Sequence, residues 1–421
     1  MRNPDFHHLT SPNDENLLVE INNTIVYFLS RPLVPPSDSL QTALPSLELS
    51  SFLAAVFSTS LADVLKKTPR TSLLIPHNSA FKRLGILVSS HFLAASSKSD
   101  LEKVILHHAI DGVEYSESLR NGAQRTFATL EGSDLQFERP SNETILISPS
   151  GGWAGMKSKL HLRNMLTQTG VVHELSDIVI PRSVSLTVGK LMKAAEGTTM
   201  ISLMNRAGLD WVLNGTAPPE GSKWAEEGLA GVGWTLLCPT DSAFKKYNLT
   251  ELYADPIGIR RIVSQHLIPN PPASGAGTVA ALDALNSNRP LALDDSVTYS
   301  TLLSPTSDYG DIIFRMGDKD SDTYVVGIKG ARGTEGRADW ANVISWGRST
   351  TGGGTGGVIA IDGLLVPYYP SWWIEYRGPA GVTVGGIVLI CLFFYGVRAI
   401  WRRDTTVATY EPAGGFGEED Y

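Results

Sequence analysis

The chain has 421 residues, of which 42% are hydrophobic, and its formal net charge is −8 at pH 7. This length predicts two or three domains of ~150 residues, each large enough to bury a core without covalent cross-links. The negative charge argues against nucleic acid as a partner. Residues 1–8 are polar and lack the apolar stretch of a secretory signal peptide.

Runs rich in β-branched residues and closed by proline occur three times. They cover residues 24–35, 170–181 and 356–367. Such a run is typical of a buried strand that leaves its sheet. We interpret each run as the end of a domain.

A sequence of nine residues occurs twice. Residues 73–81 return as residues 236–244, with six of the nine positions identical and an offset of 163 residues. That offset is the size of a domain, which indicates that a whole folding unit was duplicated.

Each nonapeptide predicts a strand followed by a helix. Its Leu-Leu run forms the strand, which Pro76 or Pro239 ends. Asn78 or Asp241 is then a candidate N-cap for the helix that begins at the next residue.

Apolar periodicity predicts helices before and after each nonapeptide. The stretches are residues 49–65 and 188–213 before it, and residues 101–110 and 259–268 after it. Strand-like segments with polar turns follow. Helices first and strands later indicate an α+β fold rather than a doubly wound sheet.

Loops distinguish the second unit from the first. They are residues 217–224, 317–339 and 351–357. The Gly-rich run at 351–357 precedes a strand, whereas a phosphate cradle precedes a helix, so we interpret it as a flexible loop. Residues 318–322 alternate acids like an EF-hand loop, but Thr323 and Lys329 replace the required glycine and glutamate, which favours a solvated polar loop.

Residues 378–397 contain no charged side chain. As a helix, this stretch spans ~30 Å, the thickness of a bilayer core. Aromatic side chains flank it, namely Tyr368, Tyr369, Trp372, Trp373, Tyr376 and Trp401. Because such rings collect at the membrane interface, the pattern predicts a transmembrane helix rather than a buried core helix.

Arginines predict the orientation of this helix. Arg398, Arg402 and Arg403 follow the apolar stretch, while only Arg377 closely precedes it. The positive-inside rule places residues 1–377 in the lumen or outside the cell, and the C-terminus in the cytosol.

Further expectations depend on this membrane segment. Residues 404–421 form a short, acidic cytosolic tail that we expect to be disordered. Gly381 and Gly385 could seat a second helix, although glycine is common in membrane helices. Cys391 in a bilayer cannot pair with Cys238, so we predict a buried free thiol at Cys238.

Asn-x-Ser/Thr sequons begin at Asn22, Asn142, Asn214 and Asn248. Each triplet alone can occur by chance. All four precede the apolar stretch on the side predicted to be luminal, which makes them candidate glycosylation sites.

Histidines are the residues best suited to acid–base or metal chemistry, and the candidates are His107, His108, His173 and His266. The sequence contains no His-x-x-x-His pair, no Gly-x-Ser-x-Gly elbow and no nucleotide-binding fingerprint. His108 and His266 occupy equivalent places, which favours a structural hydrogen-bonding role. We therefore expect no catalytic, metal or cofactor site.

Taken together, these features resemble the fasciclin-domain family. The first family motif is similar to residues 240–244, while residues 77–81 depart from it because His77 stands at the Thr position. The second motif is a Tyr-His pair at a helix end, and here residues 107–108 and 265–266 keep the histidine and lack the tyrosine.

The third family motif, a closing strand, is similar to residues 170–181 and 356–367. The resemblance implies that structural roles belong to Pro76, Asn78, Phe81, His108, Pro239, Asp241, Phe244 and His266.

The resemblance also implies a domain layout. Fasciclin-like domains at residues 45–183 and 184–370, each a wedge of β-strands with packed helices, precede a transmembrane helix at 378–397. Residues 1–36 resemble the end of a preceding domain, which implies an upstream part that would supply the signal peptide.

The family is mostly non-enzymatic, and fungal tandem-domain members with one membrane span are most similar in layout. The resemblance implies a membrane-anchored adhesion, tethering or scaffold protein in a vacuolar, other endomembrane or plasma membrane. It would bind protein or glycan ligands, with self-association as a further option, and use no cofactor. The alternatives are a membrane-tethered enzyme or carbohydrate-active module, and a trafficking factor recognised through its tail.

Overall fold

The structure is a computed structural model, and it describes residues 17–21, 24–28, 32, 34–141, 144–153, 155–161, 163–226, 233–270, 288–295, 297–317, 323–331, 340–369 and 372–404. The chain separates into two compact units, Met1–Pro367 and Tyr368–Tyr421.

The helices of the first unit are α1 (Ser39–Ala43), α2 (Ser50–Phe57), α3 (Ala62–Lys67), α4 (Asn78–Arg83), α5 (Ile86–Leu93), α6 (Lys98–His107), α7 (Val188–Ala194), α8 (Thr198–Arg206), α9 (Asp210–Asn214), α10 (Lys223–Glu226), α11 (Leu249–Ala254) and α12 (Pro256–His266). Short 3-10 turns lie at Leu47–Leu49, Ala95–Ser97, Ser116–Ser118, Ala243–Lys246, Ser304–Thr306 and Gly352–Gly354.

Its strands are β1 (Leu17–Ile21), β2 (Thr24–Phe28), β3 (Thr71–Pro76), β4 (Ala109–Asp111), β5 (Gln124–Ala128), β6 (Asp134–Ser141), β7 (Thr144–Pro149), β8 (Ser158–Leu160), β9 (Met165–Leu166), β10 (Gly170–Leu175), β11 (Gly233–Pro239), β12 (Leu267–Asn270), β13 (Thr298–Tyr299), β14 (Ile312–Met316), β15 (Tyr324–Ile328), β16 (Trp340–Arg348) and β17 (Gly357–Ile361).

Two sheets of the same design dominate this unit. The first has the order β4-β3-β10-β8-β7-β6-β5, with β9 also on β10, and the second has the order β12-β11-β17-β16-β15-β14-β13. We call α1 to β10 the first module and α7 to β17 the second module.

In each module the last strand pairs in parallel with the nonapeptide strand. Leu73 lies opposite Val172 in the first module, and Leu236 lies opposite Val358 in the second. The nonapeptide strands β3 and β11 are buried at every position. A strand covered on both faces needs a continuous apolar run, which explains why the repeat lacks alternation.

The long predicted helices are broken into short ones. The stretch at residues 49–65 holds α2 and α3, and the stretch at 188–213 holds α7, α8 and α9. After α2, the Ser58 and Thr59 hydroxyls donate to the carbonyls of Ala55 and Val56 and compete with helix continuation. After α8, Gly208 adopts φ = 73° and ends that helix.

A shared core joins the two modules. Leu87 and Val88 of α5 belong to the same buried cluster as Leu191 of α7 and Val358 of β17. The indole Nε1 of Trp153 in the first module donates to the backbone carbonyl of Arg348 in the second, at 3.1 Å. The two modules therefore bury apolar surface against each other.

The N-terminal strands β1 and β2 form an antiparallel hairpin that, among the described residues, pairs with neither sheet. Helix α1 lies ahead of the predicted domain start at residue 45. Its Leu40 and Ala43 are fully buried in the core of the first module, so that core begins earlier than residue 45.

The second unit contains helix α13 (Trp372–Asp404). Within it, the segment Gly381–Arg402 has a mean hydropathy of 2.0. This segment is long and apolar enough to cross a membrane. The apolar stretch predicted at residues 378–397 lies inside α13. The tail beyond residue 404 is outside the described residues.

Candidate binding site

The motif residue Asn78 does not cap the helix that follows it. Helix α4 begins at Asn78 itself, and His77 at the cap position makes no side-chain cap bond. Instead, Asn78 Oδ1 accepts a hydrogen bond from the backbone N–H of Ser51 at 2.9 Å, in the first turn of α2. Asn78 Nδ2 also donates to the carbonyl of Leu47 at 2.8 Å. The N-cap prediction for Asn78 was wrong.

Asp241 makes the corresponding bonds in the second module. Its carboxylate accepts from the backbone N–H of Thr199 at 2.7 Å and from the Thr198 hydroxyl at 2.6 Å, both in the first turn of α8. Burial alone would raise the pKa of Asp241, but these hydrogen bonds lower it. The N-cap prediction for Asp241 was also wrong, since the motif caps an earlier helix of its module.

His108 and His266 occupy the same position in their modules. His108 Nδ1 bonds to the carbonyl of Val104 at 2.7 Å, and its Nε2 accepts from the N–H of Val179 at 3.2 Å. His266 bonds in the same way to the Ile262 carbonyl and the Leu365 N–H, at 2.7 and 3.1 Å. Both imidazoles are fully buried, so each lacks the solvent or substrate access that acid–base catalysis requires.

The other candidate histidines are also engaged. Buried His107 lies 3.0 Å from the Ser133 hydroxyl and 3.6 Å from a Glu131 carboxylate oxygen, and burial lowers its pKa to about 4. His173 Nε2 bonds to the carbonyl of Glu114 at 2.8 Å. Among the described residues, no group of three or more His, Cys, Asp or Glu could hold a metal. Residues 318–322, which were compared with an EF-hand calcium loop, lie outside the described residues.

An apolar groove of ≈ 490 Å³ lies beside Phe81 of the first motif. Its walls come from α2, α4, α5 and α6, and among the described residues no charged side chain lines it. Its polar groups are serines, of which Ser58 and Ser89 donate their hydroxyls to backbone carbonyls. Leu93 at the wall is 79% exposed, so one apolar side chain of the groove also faces solvent.

The second module has larger and more deeply buried side chains at the equivalent positions. The backbone N–H groups of Ser51 in α2 and Thr199 in α8 bind the equivalent motif side chains, so these two residues occupy the same position in their helices. Four residues further along each helix, Leu203 occupies the position of Ala55. Leu203 is fully buried, and Phe244 is 1% exposed where Phe81 is only half-buried.

At the position of Ser58, the second module has Arg206. Its guanidinium carbon lies 4.4 Å from the ring centroid of Tyr253 on α11. The groove therefore depends on small residues in α2. The sequence carries no local signal for the groove, because Ala55 and Leu203 are matched only through the capping bonds.

Two candidate glycosylation residues are described. Asn214 is exposed at the end of α9, and Asn248 is exposed at the start of α11. Asn22 and Asn142 lie outside the described residues.

The Gly-rich run at residues 351–357 forms a defined turn. Gly352, Gly353 and Gly354 have φ values of 59°, 74° and 69°, which favour glycine. The carbonyl of Gly354 accepts from Nε of the buried Arg348 at 2.8 Å. The turn leads into β17 rather than into a helix, so it lacks the geometry of a phosphate cradle.

Comparison with known proteins agrees with this architecture. The family model described as Fasciclin domain matches residues 47–181 and 195–292, more than half of the chain. The chain belongs to the fasciclin-domain family, and the predicted α+β fold of tandem fasciclin-like domains is confirmed.

Among curated proteins, human periostin is 25% identical over 247 residues, covering 58% of this chain and 26% of periostin. A fasciclin-like arabinogalactan protein of Arthroderma benhamiae is 24% identical over 166 residues, covering 39% of this chain and 35% of that protein. The chain thus spans between a quarter and about a third of these relatives.

Among solved structures, a FAS1 domain pair from the insect cell adhesion molecule fasciclin I matches at 15% identity with a TM-score of 0.28. The match covers 76% of this chain and 96% of that one.

Proposed function

We propose that this chain is a single-pass membrane protein that binds a protein ligand outside the cytosol through its tandem fasciclin domains. The observation that carries the proposal is the apolar groove of the first module, at a place where the second module has larger side chains. An apolar groove with an apolar side chain exposed at its wall is typical of a site for a partner's apolar side chains. Membership of the fasciclin-domain family supports a role in adhesion or tethering.

We propose a non-enzymatic role, which the state of the candidate histidines supports. His108 and His266 are buried and use both ring nitrogens in backbone bonds. The groove walls carry no charged side chain among the described residues. General acid–base or nucleophilic chemistry needs an accessible titratable group, and the groove offers none in its described walls.

The proposed layout keeps the predicted boundaries, except that the first domain also includes α1. Fasciclin domains at residues 39–183 and 184–370 lie in the lumen or outside the cell, and residues 378–397 cross the membrane. Residues 404–421 form the cytosolic tail. Arginines on the C-terminal side of the span support this orientation.

The orientation is tested in sealed membranes. Protease added from the cytosolic side should remove only the tail, and glycosidase treatment should increase the electrophoretic mobility of the protein. Digestion of residues 1–377 from the cytosolic side, together with an absent glycosidase shift, would rule the orientation out.

The groove is tested by filling it. Ala55→Leu copies the larger side chain of the second module and should lower adhesion of cells that display the chain at least tenfold, without lowering thermal stability. The matched control is Ser202→Leu. Ser202 is exposed on α8 and is the equivalent of Ala54 on α2, so this variant adds the same side chain to the second module instead. Equal adhesion by both variants and the unmodified chain would exclude the groove as the ligand site.

A further inference from the structure

Helix α5 of the first module packs against α7 and β16 of the second module. Its Leu87 and Val88 are buried, and a Cβ on Gly347 of β16 would meet both side chains. A side chain at Gly85, the N-cap position of α5, would run into the backbone carbonyl of Trp346. We call this contact the joint. It needs apolar residues on α5 and no side chain at the N-cap.

Helix α11 is the equivalent of α5 in the second module. It begins 163 residues after α5, and the two nonapeptides have the same offset. Thr250 and Glu251 of α11 therefore correspond to Leu87 and Val88. Both are exposed, and no residue of α11 is fully buried. The face that forms the joint in the first module is thus a polar surface in the second.

An ion pair across the joint also lacks a counterpart. Asp100 on α6 accepts a hydrogen bond from Nζ of Lys190 on α7, at 2.8 Å. Counted back from the equivalent histidines His108 and His266, the second module has Gly258 at the position of Asp100. It therefore offers no carboxylate there for a further module.

Asn248 takes the position of Gly85 at the N-cap of α11. It is exposed, and its Oδ1 accepts from the backbone N–H of Thr250 at 3.1 Å. That bond uses the oxygen and leaves Nδ2, the atom to which an N-linked glycan attaches, available. Because a side chain at Gly85 would point into the neighbouring module, a glycan on Asn248 would extend over the equivalent face of α11.

We propose that Asn248 carries an N-linked glycan that covers the exposed face of α11 and keeps macromolecules off it. Thr250 then has two roles, because its hydroxyl completes the sequon and its polar side chain replaces Leu87. A polar outer face keeps one unit of an array from binding a further unit. This inference rests on the proposed placement of the domains outside the cytosol.

The attachment reaction is balanced by a lipid-linked oligosaccharide diphosphate as donor. Asn248 Nδ2 attacks C1 of the first sugar and loses a proton, the N–C1 bond forms, and the C1–O bond to the diphosphate breaks. The lipid diphosphate leaves, and the released proton balances its charge.

The test measures how easily a thiol on α11 is reached. Glu251→Cys is made in the full chain in a glycosylating host, alone and together with Thr250→Ala. The second change removes the sequon and keeps Asn248 as helix cap, because that bond uses the backbone N–H of residue 250. The purified chains react with a small maleimide and with a maleimide that carries a long polymer.

The matched control is Asp63→Cys. Asp63 is an exposed acid on α3 of the first module, and α3 has six residues, as α11 has. The unmodified chain, with its buried Cys238 and with Cys391, gives the background rate. Mass spectrometry reports whether Asn248 carries a glycan.

The polymer reagent should react with the thiol of Glu251→Cys at least tenfold more slowly in the glycosylated chain than in the chain that also has Thr250→Ala. The small reagent should react equally fast with both, because the thiol itself is exposed. Thr250→Ala should change neither rate in Asp63→Cys.

Three outcomes would overturn the inference alone. They are glycans on other sequons with none on Asn248, an occupied Asn248 with equal polymer rates in both chains, and a slow polymer reaction that persists after Thr250→Ala. In the last case something other than the glycan would cover α11. Glycans absent from every sequon would overturn the proposed topology as well.

Discussion

His108 and His266 each connect the end of a helix to the chain beyond the last strand of the module. Nδ1 donates to the helix carbonyl, and Nε2 accepts from Val179 or Leu365. A neutral imidazole with its proton on Nδ1 satisfies both bonds. A second proton on Nε2 would set two donors against each other, so folding favours the neutral form.

The free energy of unfolding should therefore fall in acid. Burial lowers the pKa of His108 to about 3 and that of His266 to about 4. The unfolded chain, with ordinary histidines near pKa ~6.5, takes up protons first. Stability is full above that value and should fall by roughly 1.4 kcal/mol per pH unit for each histidine down to about pH 4. Urea unfolding across this range measures the slope.

His266→Phe provides the control for this slope. At neutral pH the free energy of unfolding of this variant should be about 1–3 kcal/mol lower, because the Leu365 N–H and the Ile262 carbonyl lose their partner. In acid, the fall in its free energy of unfolding per pH unit should be smaller than in the unmodified chain. The difference should equal the contribution of one histidine. An unchanged slope would assign the acid sensitivity to other groups.

One polar side chain holds each nonapeptide to the first turn of an earlier helix. Asn78 binds α2 and Asp241 binds α8. Each bond satisfies a backbone N–H that a helix start leaves unpaired. The same bond fixes the register between helix and sheet in both modules.

Replacement of Asp241 by alanine should lower the free energy of unfolding by about 1 kcal/mol, the usual cost of losing a cap. Asp241→Asn keeps an acceptor oxygen, as Asn78 does in the first module. Its free energy of unfolding should therefore fall much less than that of the alanine variant. Denaturant unfolding of both variants measures the difference. Equal losses would show that the charge of Asp241, rather than its hydrogen bonds, stabilises α8.

The sequence predicted the central strands well and the contacts of the site poorly, for a physical reason. Strands β3 and β11 are buried on both faces, so every position must be apolar and the repeat is visible. The capping bond of Asn78 reaches an amide 27 residues earlier, and no local pattern encodes that distance. The groove depends on small residues, Ala55 and Ser58, where the second module has Leu203 and Arg206, and this difference has meaning only once the helices are superposed.

The two modules meet with almost no space between their backbones. Gly85 has φ = 90°, and a Cβ there would lie 2.7 Å from the carbonyl oxygen of Trp346. A Cβ on Gly347 would lie 2.9 Å from Leu87. Glycine at these positions permits the close approach of the modules.

Gly85→Ala should therefore weaken the joint between modules as well as strain the backbone. Gly132→Ala is the matched control, because Gly132 has φ = 103° and a Cβ there would meet no atom within 4 Å. Calorimetry should show the two modules unfolding in separate transitions in Gly85→Ala and together in Gly132→Ala. The same profile in both variants would mean that only strain matters.

The parallel pairing of first and last strands also governs how each module is made. Strand β17 lies between β11 and β16 inside its sheet, and its partner β11 is synthesised about 120 residues earlier. Until Gly357–Ile361 emerges from the ribosome, β11 presents an apolar, unpaired edge, which is the kind of edge that aggregates. A premature stop ahead of residue 357 would leave the sheet in two pieces, because β17 joins β11 to β16. The sheet of the second module can therefore form only after its last strand has been synthesised.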